Sequence, residues 1–525
     1  MGILQRDLAM TFTGRWAEPK GARRHGGLAV TLAALAMLAI AGCGTSDSSS
    51  PAPGPSDASV DASAEASAGA APTVTGPITG GMGKPFTAAP IDLASFGYVE
   101  EEFFIEGDAT AYAFQGTAGS DGMWSVKTTT KAHYKTRMLV RHPTDPAKFN
   151  GTVLVEWLNV SGGVDDDPEF SFGHVELLRS GFAYVGVSAQ AQGVIGGGFS
   201  LGPAGSEPLV TWDPARYGSL KHPGDNYSYD IFTQAADVVR RPPGSVKPLG
   251  SLTPARLIAD GESQSAFRLV TYIDAVAPIQ PKVFDGFFVH SRSGGAAELV
   301  TAGGTANILG GPSLALVRAD LTVPIFQFET ETDVLGITGL QGFATARQPD
   351  AARLHTWEVA GTAHADEYLL DYAAQGMPGD AGSLGCTNVN SGPQHWVVDT
   401  ALNAMNAWVT SGTLPATGAP LLLADAGTGL ATDAEGNALG GVRTAAVDAP
   451  IATYSGESSS SNILCSLFGS TTPLSAAQLL ALYPTHADYV SKVTAATAAA
   501  QEARFILAAD APLIVQEAQA APIPQ

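Results

Sequence analysis

From about residue 86 onward, short apolar runs alternate with amphipathic stretches along the chain. The run Thr152–Asn159 (TVLVEWLN) is almost continuously apolar, which is typical of a strand buried on both faces of a sheet. Further strands are predicted at 98–105, 134–141, 182–188, 255–259, 284–290, 323–328 and 355–359, and helices at 172–180, 229–240, 264–276 and 394–409. Strands separated by helices imply right-handed crossovers, so we predict an α/β fold with a mostly parallel central sheet flanked by helices. Ligands of such sheets bind outside the carboxyl ends of the strands.

A second kind of apolar run, Leu28 to Ala41, lies near the N-terminus after Arg23 and Arg24. It is shorter than the roughly 20 residues that a helix needs to span a bilayer, and its length fits a secretory signal. The run ends in Ile-Ala-Gly-Cys, which resembles a bacterial lipobox, where cleavage precedes the cysteine and lipid is attached to it. We therefore expect residues 1–42 to be a signal peptide and the protein to be exported. It would be anchored by lipid at Cys43 or secreted, whereas the alternative is a buried helix with an incidental cysteine.

The composition changes twice more along the chain. Residues 43–84 are rich in Ser, Ala, Pro and Gly, so we expect a flexible tether there. One enlarged domain is then predicted over residues 85–525, with a C-terminal extension from about 411 that contains helices near 475–483 and 486–507. This extension is expected to pack against the main domain and to shape the entrance of its site.

The charge balance excludes one class of partner. The chain has 28 Lys and Arg against 50 Asp and Glu, a formal net charge of −22. Nucleic acid is not expected as a partner, because phosphate binding needs a positive field. If Cys43 carries lipid, Cys386 and Cys465 remain as an even pair in an oxidising compartment, and a disulfide is predicted between them. Two buried free thiols are the alternative. The spacing of His and Cys suggests no zinc site, and neither a metal nor a cofactor is expected.

One predicted strand runs directly into a candidate nucleophile. After residues 256–259 the chain reads Asp-Gly-Glu-Ser-Gln-Ser, and a helix is predicted to begin at once. A sharp turn there would hold the Ser263 hydroxyl clear of the sheet, at a helix N-terminus that favours negative charge. Small residues are needed two positions before and after the nucleophile. Gly261 meets this requirement, whereas Ser265 departs from the usual Gly. The alternative is that Ser263 only caps the helix.

A serine hydroxyl needs a base, and the base needs an acid that orients it. His364 follows the strand at 355–359, and Asp333 and Glu331 follow the strand at 323–328, all at the predicted site edge. The order Ser, acid, His is that of one serine hydrolase fold. Asp333 is the preferred acid because it lies deepest in its loop, and Glu331 is its competitor. Structural roles are assigned by default to the remaining candidate histidines, His290, His355, His395 and His486.

The loops around this edge carry the remaining expectations. The backbone amide of Gln264 is predicted as one oxyanion donor, and the amide of Leu158 or Asn159 as the second. Residues 193–226 and 371–393 are long enough to wall a pocket, with an aromatic lining from Trp212, Tyr217 and Tyr227. The triple aspartate at 165–167 is reminiscent of a calcium cluster but lacks EF-hand spacing, and a solvated loop is favoured.

Five motifs together resemble the α/β-hydrolase family: TRMLVRHP, FNGTVLVEWLNVSGG, GESQSA, TETDVLG and AGTAHAD. More narrowly, they are similar to bacterial proteins described only as alpha/beta hydrolase domain-containing, from about residue 85 to the C-terminus. The resemblance implies a serine hydrolase with Ser263 as nucleophile, Asp333 or Glu331 as acid and His364 as base. Hydrolysis of a small-molecule carboxylic ester through an acyl-enzyme is the default expectation, since the fold alone names no substrate. A catalytically silent surface lipoprotein that binds a ligand or a partner is the alternative.

Overall fold

In a computed structural model of the protein, the described residues are 71–523, except 199, 203–205, 301–309, 321, 338, 377–385, 425–427 and 461. The predicted signal peptide, the lipid attachment at Cys43 and most of the predicted tether lie outside these residues. Part of the predicted pocket wall at 371–393 also does.

Thirteen strands occur in the described part of the chain. They are β1 (Thr73–Thr75), β2 (Tyr98–Phe114), β3 (Val126–Pro143), β4 (Thr152–Trp157), β5 (Ala183–Val187), β6 (Arg256–Glu262), β7 (Gly286–His290), β8 (Ile325–Thr330), β9 (Gly336–Ile337), β10 (Leu340–Gln341), β11 (Leu354–Val359), β12 (Ala452–Ser455) and β13 (Ser470–Pro473). Nine of these form one sheet in the order β1-β2-β3-β5-β4-β6-β7-β8-β11. The six strands from β5 to β11 in that order are parallel to one another, and β1, β2 and β3 add an antiparallel edge. The prediction of an α/β fold with a mostly parallel sheet is confirmed.

Helices cover both faces of this sheet. They are α1 (Pro168–Arg179), α2 (Ala191–Ile195), α3 (Leu209–Trp212), α4 (Pro214–Tyr217), α5 (Ser228–Arg240), α6 (Gln264–Thr271), α7 (Glu331–Leu335), α8 (Glu367–Gly376), α9 (Gln394–Ser411), α10 (Ala445–Asp448), α11 (Ile463–Ser466), α12 (Ala476–Leu482), α13 (His486–Glu502) and α14 (Ala511–Ala520). Short 3-10 turns occur at 93–96, 146–148, 225–227, 277–279 and 343–346, and a π-helical turn at 272–276 extends α6.

Alternate side chains of the buried strands contact different helices, because successive residues of a strand point to opposite faces. Leu257 of β6 packs in the cluster that contains residues of α5 and α6. Its neighbour Ile258 packs in the cluster that contains residues of α1 and α9. Every residue of β4 is buried, as its continuous apolar pattern predicts.

The N-terminal boundary of the folded part differs from the prediction. Residues of β1, which was assigned to the tether, pair with Phe104–Glu106 of β2. The Arg216 guanidinium also donates to the carbonyl oxygens of Ile78 and Gly80, at 3.0 Å each. A boundary at residue 84 is therefore too late, because polar, glycine-rich sequence is held here by backbone pairing and one buried arginine.

One expectation about the loops is wrong. The triple aspartate is not solvated: Asp165 and Asp167 are buried and pair with Arg137 at 3.1 Å and Arg141 at 2.5 Å. Arginines four residues apart on one strand lie on the same face, and there they neutralise the aspartates. The three aromatic residues predicted to line a pocket have defined partners. The Trp212 ring contacts Phe86, the Tyr217 hydroxyl donates to Glu102 at 2.7 Å, and the Tyr227 hydroxyl bonds to Thr130 at 2.8 Å.

The C-terminal extension packs on the main domain and is tied to it by backbone and covalent bonds. The amide of Ala360, just after β11, donates to the carbonyl of Val442 at 3.0 Å. Cys386 and Cys465 form a disulfide with a Cα–Cα distance of 5.3 Å, so the predicted pairing is confirmed. Among the helices described, none combines the length and apolar character needed to span a membrane.

Candidate active site

The Ser263 hydroxyl projects from a sharp turn between β6 and α6. We call residues 260–265 the serine turn. Ser263 has φ +57° and ψ −121°, a backbone conformation that side-chain-bearing residues adopt at a cost of about 1–3 kcal/mol. The sheet holds this strain, because the Ser263 amide donates to the His290 carbonyl of the adjacent strand at 3.0 Å. The turn therefore places the hydroxyl at the carboxyl edge of the sheet.

Gly261 is required by the closeness of this turn. A Cβ atom at Gly261 would lie 2.9 Å from the backbone carbon and oxygen of Ser265, which is nearer than packed atoms approach. Ser265 is fully buried against this glycine, so a small residue is present at the position where the usual motif has Gly. The predicted requirement for small residues on both sides of Ser263 has this steric origin.

His364 lies on the loop after β11, and residues 360–366 are called the histidine loop. The His364 Nε2 atom lies 2.7 Å from Ser263 Oγ, and its Nδ1 atom lies 2.6 Å from Asp333 Oδ1. Asp333 is in the first turn of α7, where its other oxygen accepts the amide and hydroxyl of Thr330 at 2.9 and 2.6 Å. The three side chains form one hydrogen-bonded series, and each residue is no more than 9% exposed.

The electrostatics of this series favour charge on its acid and its imidazole. Burial lowers the pKa of His364, but the Asp333 carboxylate, its hydrogen bond and Glu262 outweigh burial and raise that pKa to about 9. Burial raises the pKa of Asp333, but His364 and the two Thr330 donors bring it below its ordinary value. Since opposite charges favour one another at this separation, Asp333 favours the protonated form of His364, and His364 favours the carboxylate form of Asp333.

Glu331, the competing acid, has other partners. Its two carboxylate oxygens accept the amides of Gly361 at 2.6 Å and Gly456 at 2.8 Å. Within the described part of the chain, no hydrogen bond or ion pair joins Glu331 to His364. The geometry thus brings Asp333 to the imidazole and uses Glu331 to hold the histidine loop against the C-terminal extension.

The two candidates for a second oxyanion donor are both engaged. The amide of Leu158 donates to the Val187 carbonyl at 3.2 Å, and the amide of Asn159 donates to the Asp166 carbonyl at 2.9 Å. That expectation is therefore wrong, because the chain turns back after β4 and pairs with itself. The Gln264 amide is the first of α6, and the described residues provide it with no acceptor. It remains positioned as a donor beside Ser263.

Two residues that contact His364 were not predicted. Glu262 Oε1 lies 3.5 Å from His364 Nε2, although Glu262 precedes Ser263 in the motif and its acidity was a visible signal. Thr332 Oγ1 accepts the His364 amide at 3.2 Å and donates to the Gly456 carbonyl at 2.6 Å. The sequence does not indicate a role for Thr332, since its partner Gly456 is 124 residues away.

The other histidines have different partners. His290 pairs with Glu169 at 2.7 Å, His355 pairs with Asp350 at 3.1 Å, and His395 stacks on the Tyr368 ring at a centroid distance of 4.0 Å. His486 Nδ1 bonds to the Ile523 carbonyl at 2.6 Å. In the ranges that the structure describes, no three His, Cys, Asp or Glu side chains are placed to hold a metal ion.

A serine on a strand-to-helix turn, followed in chain order by an acid and a histidine at further strand ends of a mostly parallel sheet, defines the α/β-hydrolase class. A family model described as an alpha/beta hydrolase domain matches residues 74–516. The chain therefore belongs to this family, and the family supports hydrolase activity.

The solved structures to which the chain shows similarity are distant. One is a putative dienelactone hydrolase from Klebsiella pneumoniae, with 12% identity, TM-score 0.29 and coverage of 59% of this chain and 99% of that chain. A second is an α/β serine hydrolase without lid from Xanthomonas campestris, with 11% identity, TM-score 0.26 and coverage of 51% and 92%. A third, Aspergillus niger EstA, has 14% identity, TM-score 0.20 and coverage of 30% and 27%. A search of curated proteins found no match.

Proposed function

We propose that the protein is a serine hydrolase that cleaves carboxylic esters of small molecules through an acyl-enzyme. The observation that carries this proposal is the continuous hydrogen-bonded series from Ser263 Oγ through His364 to Asp333. Such a series supplies a nucleophile, a base and an orienting acid.

In the first half of the reaction, Ser263 Oγ attacks the ester carbonyl carbon, and its proton moves to His364 Nε2. The oxygen that becomes negative is stabilised by the Gln264 amide at the N-terminus of α6. Asp333 holds the imidazole in place and stabilises its positive charge. His364 then gives the proton to the departing alcohol oxygen, and the acyl group stays on Ser263.

In the second half, His364 takes a proton from water, and the water oxygen attacks the acyl carbon. Collapse of that intermediate returns the proton to Ser263 and releases the carboxylic acid. The same residues thus act twice, and the reaction needs no group beyond water.

The experiment that tests this proposal is labelling with a fluorophosphonate probe, which reacts with activated serines. We expect labelling of the wild type and none of Ser263→Ala, with hydrolysis of p-nitrophenyl esters lost in parallel. Ser228→Ala is the matched control, because Ser228 is fully buried and its hydroxyl has no hydrogen-bond partner in the described structure. A folded wild type that is neither labelled nor active would instead favour the silent ligand-binding lipoprotein. A panel of esters with graded acyl length would then define the substrate range.

Export as a lipoprotein anchored at Cys43 remains part of the proposal. It is supported by the apolar run and lipobox-like ending in the sequence. Metabolic labelling with a fatty acid tests it: the wild type should incorporate label, and Cys43→Ala should not. Labelling of Cys43→Ala at the wild-type level would refute the assignment.

A further inference from the structure

We propose that Glu262 is a positioning residue of the site, whose buried carboxylate lies against the Nε2 side of His364 and stabilises the protonated imidazole that forms during the reaction. This inference rests on the proposed function and adds a second carboxylate to it. Asp333 contacts Nδ1, whereas Glu262 lies 3.5 Å from Nε2, the atom that exchanges a proton with Ser263.

The position of the Glu262 carboxylate is set by two connections. Its backbone is the last residue of β6, paired with His290 of β7. Its Oε2 atom accepts the side-chain amide of Asn159 at 3.1 Å, which leaves Oε1 beside the imidazole. The Asn159 side chain is itself fixed, because its Nδ2 atom also donates to the Glu262 backbone carbonyl at 3.1 Å. The loop after β4 therefore contributes to the site through a side chain that holds Glu262.

Charged groups from every neighbouring element act on this pair. They are Asp333 on α7, His290 on β7, Glu169 on α1, Asp260 on β6 and Asp166 in the loop after β4. Burial raises the pKa of Glu262 to about 7, against the opposing effects of His364 and His290. With the pKa of His364 at about 9, a carboxylate and an imidazolium face each other between about pH 7 and pH 9.

The sign of the effect follows from the reaction. Ser263 is activated only when His364 is neutral, so kcat/KM should rise with pH through the pKa of His364. A carboxylate at Nε2 moves that rise to higher pH because it favours the imidazolium. The same carboxylate stabilises the imidazolium in the transition state, so its removal should lower the plateau at high pH.

The test compares pH profiles of p-nitrophenyl acetate hydrolysis for the wild type and Glu262→Gln. Gln keeps the size of the side chain and an acceptor for Asn159 but removes the charge. We expect the rise in kcat/KM to move down by about one pH unit. We expect the plateau kcat to fall by about tenfold with little change in KM. A rise that stays in place or moves up would overturn the proposal.

Two further variants make the result specific. Asp274→Asn is the control, because Asp274 is also buried with a pKa of about 8 but contacts Arg318 rather than His364. The same shift in this control would overturn the proposal. Glu262→Asp keeps the charge and withdraws it from Nε2, so it should give a smaller shift in the same direction. It serves as the readout if Glu262→Gln does not fold.

Fluorophosphonate labelling of the wild type separates the role of Glu262 from the proposed function. If Ser263 is labelled and the profile of Glu262→Gln is unchanged, only the role of Glu262 fails; if Ser263 is unlabelled, the proposed function fails.

Discussion

The serine turn and the histidine loop meet at one hydrogen bond, but they are held in opposite ways. The serine turn is fixed by neighbours in the sequence and by the two strands beside β6, through Gly261, Ser265, the His290 carbonyl and the Asn159 side chain. The histidine loop is fixed by distant residues: Glu331 and Thr332 on α7, and Val442 and Leu467 of the C-terminal extension, whose carbonyls accept the amides of Ala360 and Ala365. Local geometry thus places the hydroxyl, whereas tertiary contacts place the imidazole.

The serine turn and the histidine loop should differ in how well they tolerate substitutions. The strained Ser263 backbone is held by β6 and β7, in which every residue except Arg256 is buried, so its position depends on a rigid element. The histidine loop depends on hydrogen bonds from three separate segments, and loss of one leaves the others in place. We therefore expect substitutions in the serine turn to lower activity sharply. Substitutions around the histidine loop should lower activity to a smaller extent.

The largest effect is expected at Asp333, whose carboxylate bonds to His364 Nδ1 at 2.6 Å. Asp333→Asn should lower kcat by about 10³–10⁴-fold, because the amide no longer stabilises the imidazolium or its reactive tautomer. Glu331→Gln is the matched control two residues away, and its kcat should fall by no more than about tenfold, since it alters only the support of the loop. Steady-state hydrolysis of p-nitrophenyl acetate measures both. An inactive Glu331→Gln beside an active Asp333→Asn would reverse the assignment of the acid.

The next effect is expected in the serine turn itself. Gly261→Ala places a Cβ atom 2.9 Å from the Ser265 backbone, where no flexible side chain can move aside. Kinetics should show a fall in kcat/KM of about 100-fold, because a misplacement near 1 Å has that cost. Chemical denaturation should show a loss of about 1–3 kcal/mol in the free energy of unfolding. Gly244→Ala is the control, because a Cβ there meets no atom within 4 Å. Wild-type activity in Gly261→Ala would contradict the steric account of the turn.

The contrast also explains which features could be predicted from the sequence. Apolar runs and Gly261 carry local information, so the parallel sheet and the position of Ser263 at a strand-to-helix turn were accessible. The position of His364 was accessible too, because it follows a recognisable strand. The choice between Asp333 and Glu331 was not decided by the pattern. It depends on Gly456, whose amide lies 125 residues from its Glu331 acceptor.

The failures have a common physical reason. The amides of Leu158 and Asn159 were assigned to the oxyanion by position, but both are used when the chain pairs with β5 and with itself. The triple aspartate was assigned to solvent, but Arg137 and Arg141 on β3 pair with its outer two members. The arginines were visible four residues apart in TRMLVRHP, yet nothing local indicates which carboxylates they meet. Long-range pairing of buried polar groups thus limited the prediction.

An intermediate effect is expected when one support of the histidine loop is weakened. In Glu331→Gln the side-chain nitrogen cannot accept, so the amide of either Gly361 or Gly456 loses its partner. This should reduce the free energy of unfolding by about 1–3 kcal/mol, as measured by chemical denaturation. Glu329→Gln is the control, because the Glu329 carboxyl is also fully buried with a pKa raised by burial, whereas the amides of Gly361 and Gly456 bond to Glu331. Equal destabilisation of both variants would argue against a specific role for the Glu331 bonds.

The smallest effect on activity is expected from loss of the disulfide, which contacts the histidine loop only through neighbouring residues. Cys465 precedes Leu467 and Phe468, whose carbonyls accept the amides of Ala365 and Asn390 at 3.1 and 2.8 Å. The double variant Cys386→Ser/Cys465→Ser should lower the free energy of unfolding by about 2–4 kcal/mol, because the bond closes a long loop. Since the hydrogen bonds to the histidine loop remain, kcat at 25 °C should fall by no more than about threefold, consistent with a barrier change below 1 kcal/mol.

Thermal denaturation and kinetics on the same preparations separate these two effects. Reduction of the wild type should reproduce the stability loss of the double variant and leave the double variant unchanged. A loss of kcat as large as that of Asp333→Asn, at a temperature where the double variant is folded, would contradict the comparison. The position of His364 would then depend on the covalent link itself, and the histidine loop would be as intolerant of change as the serine turn.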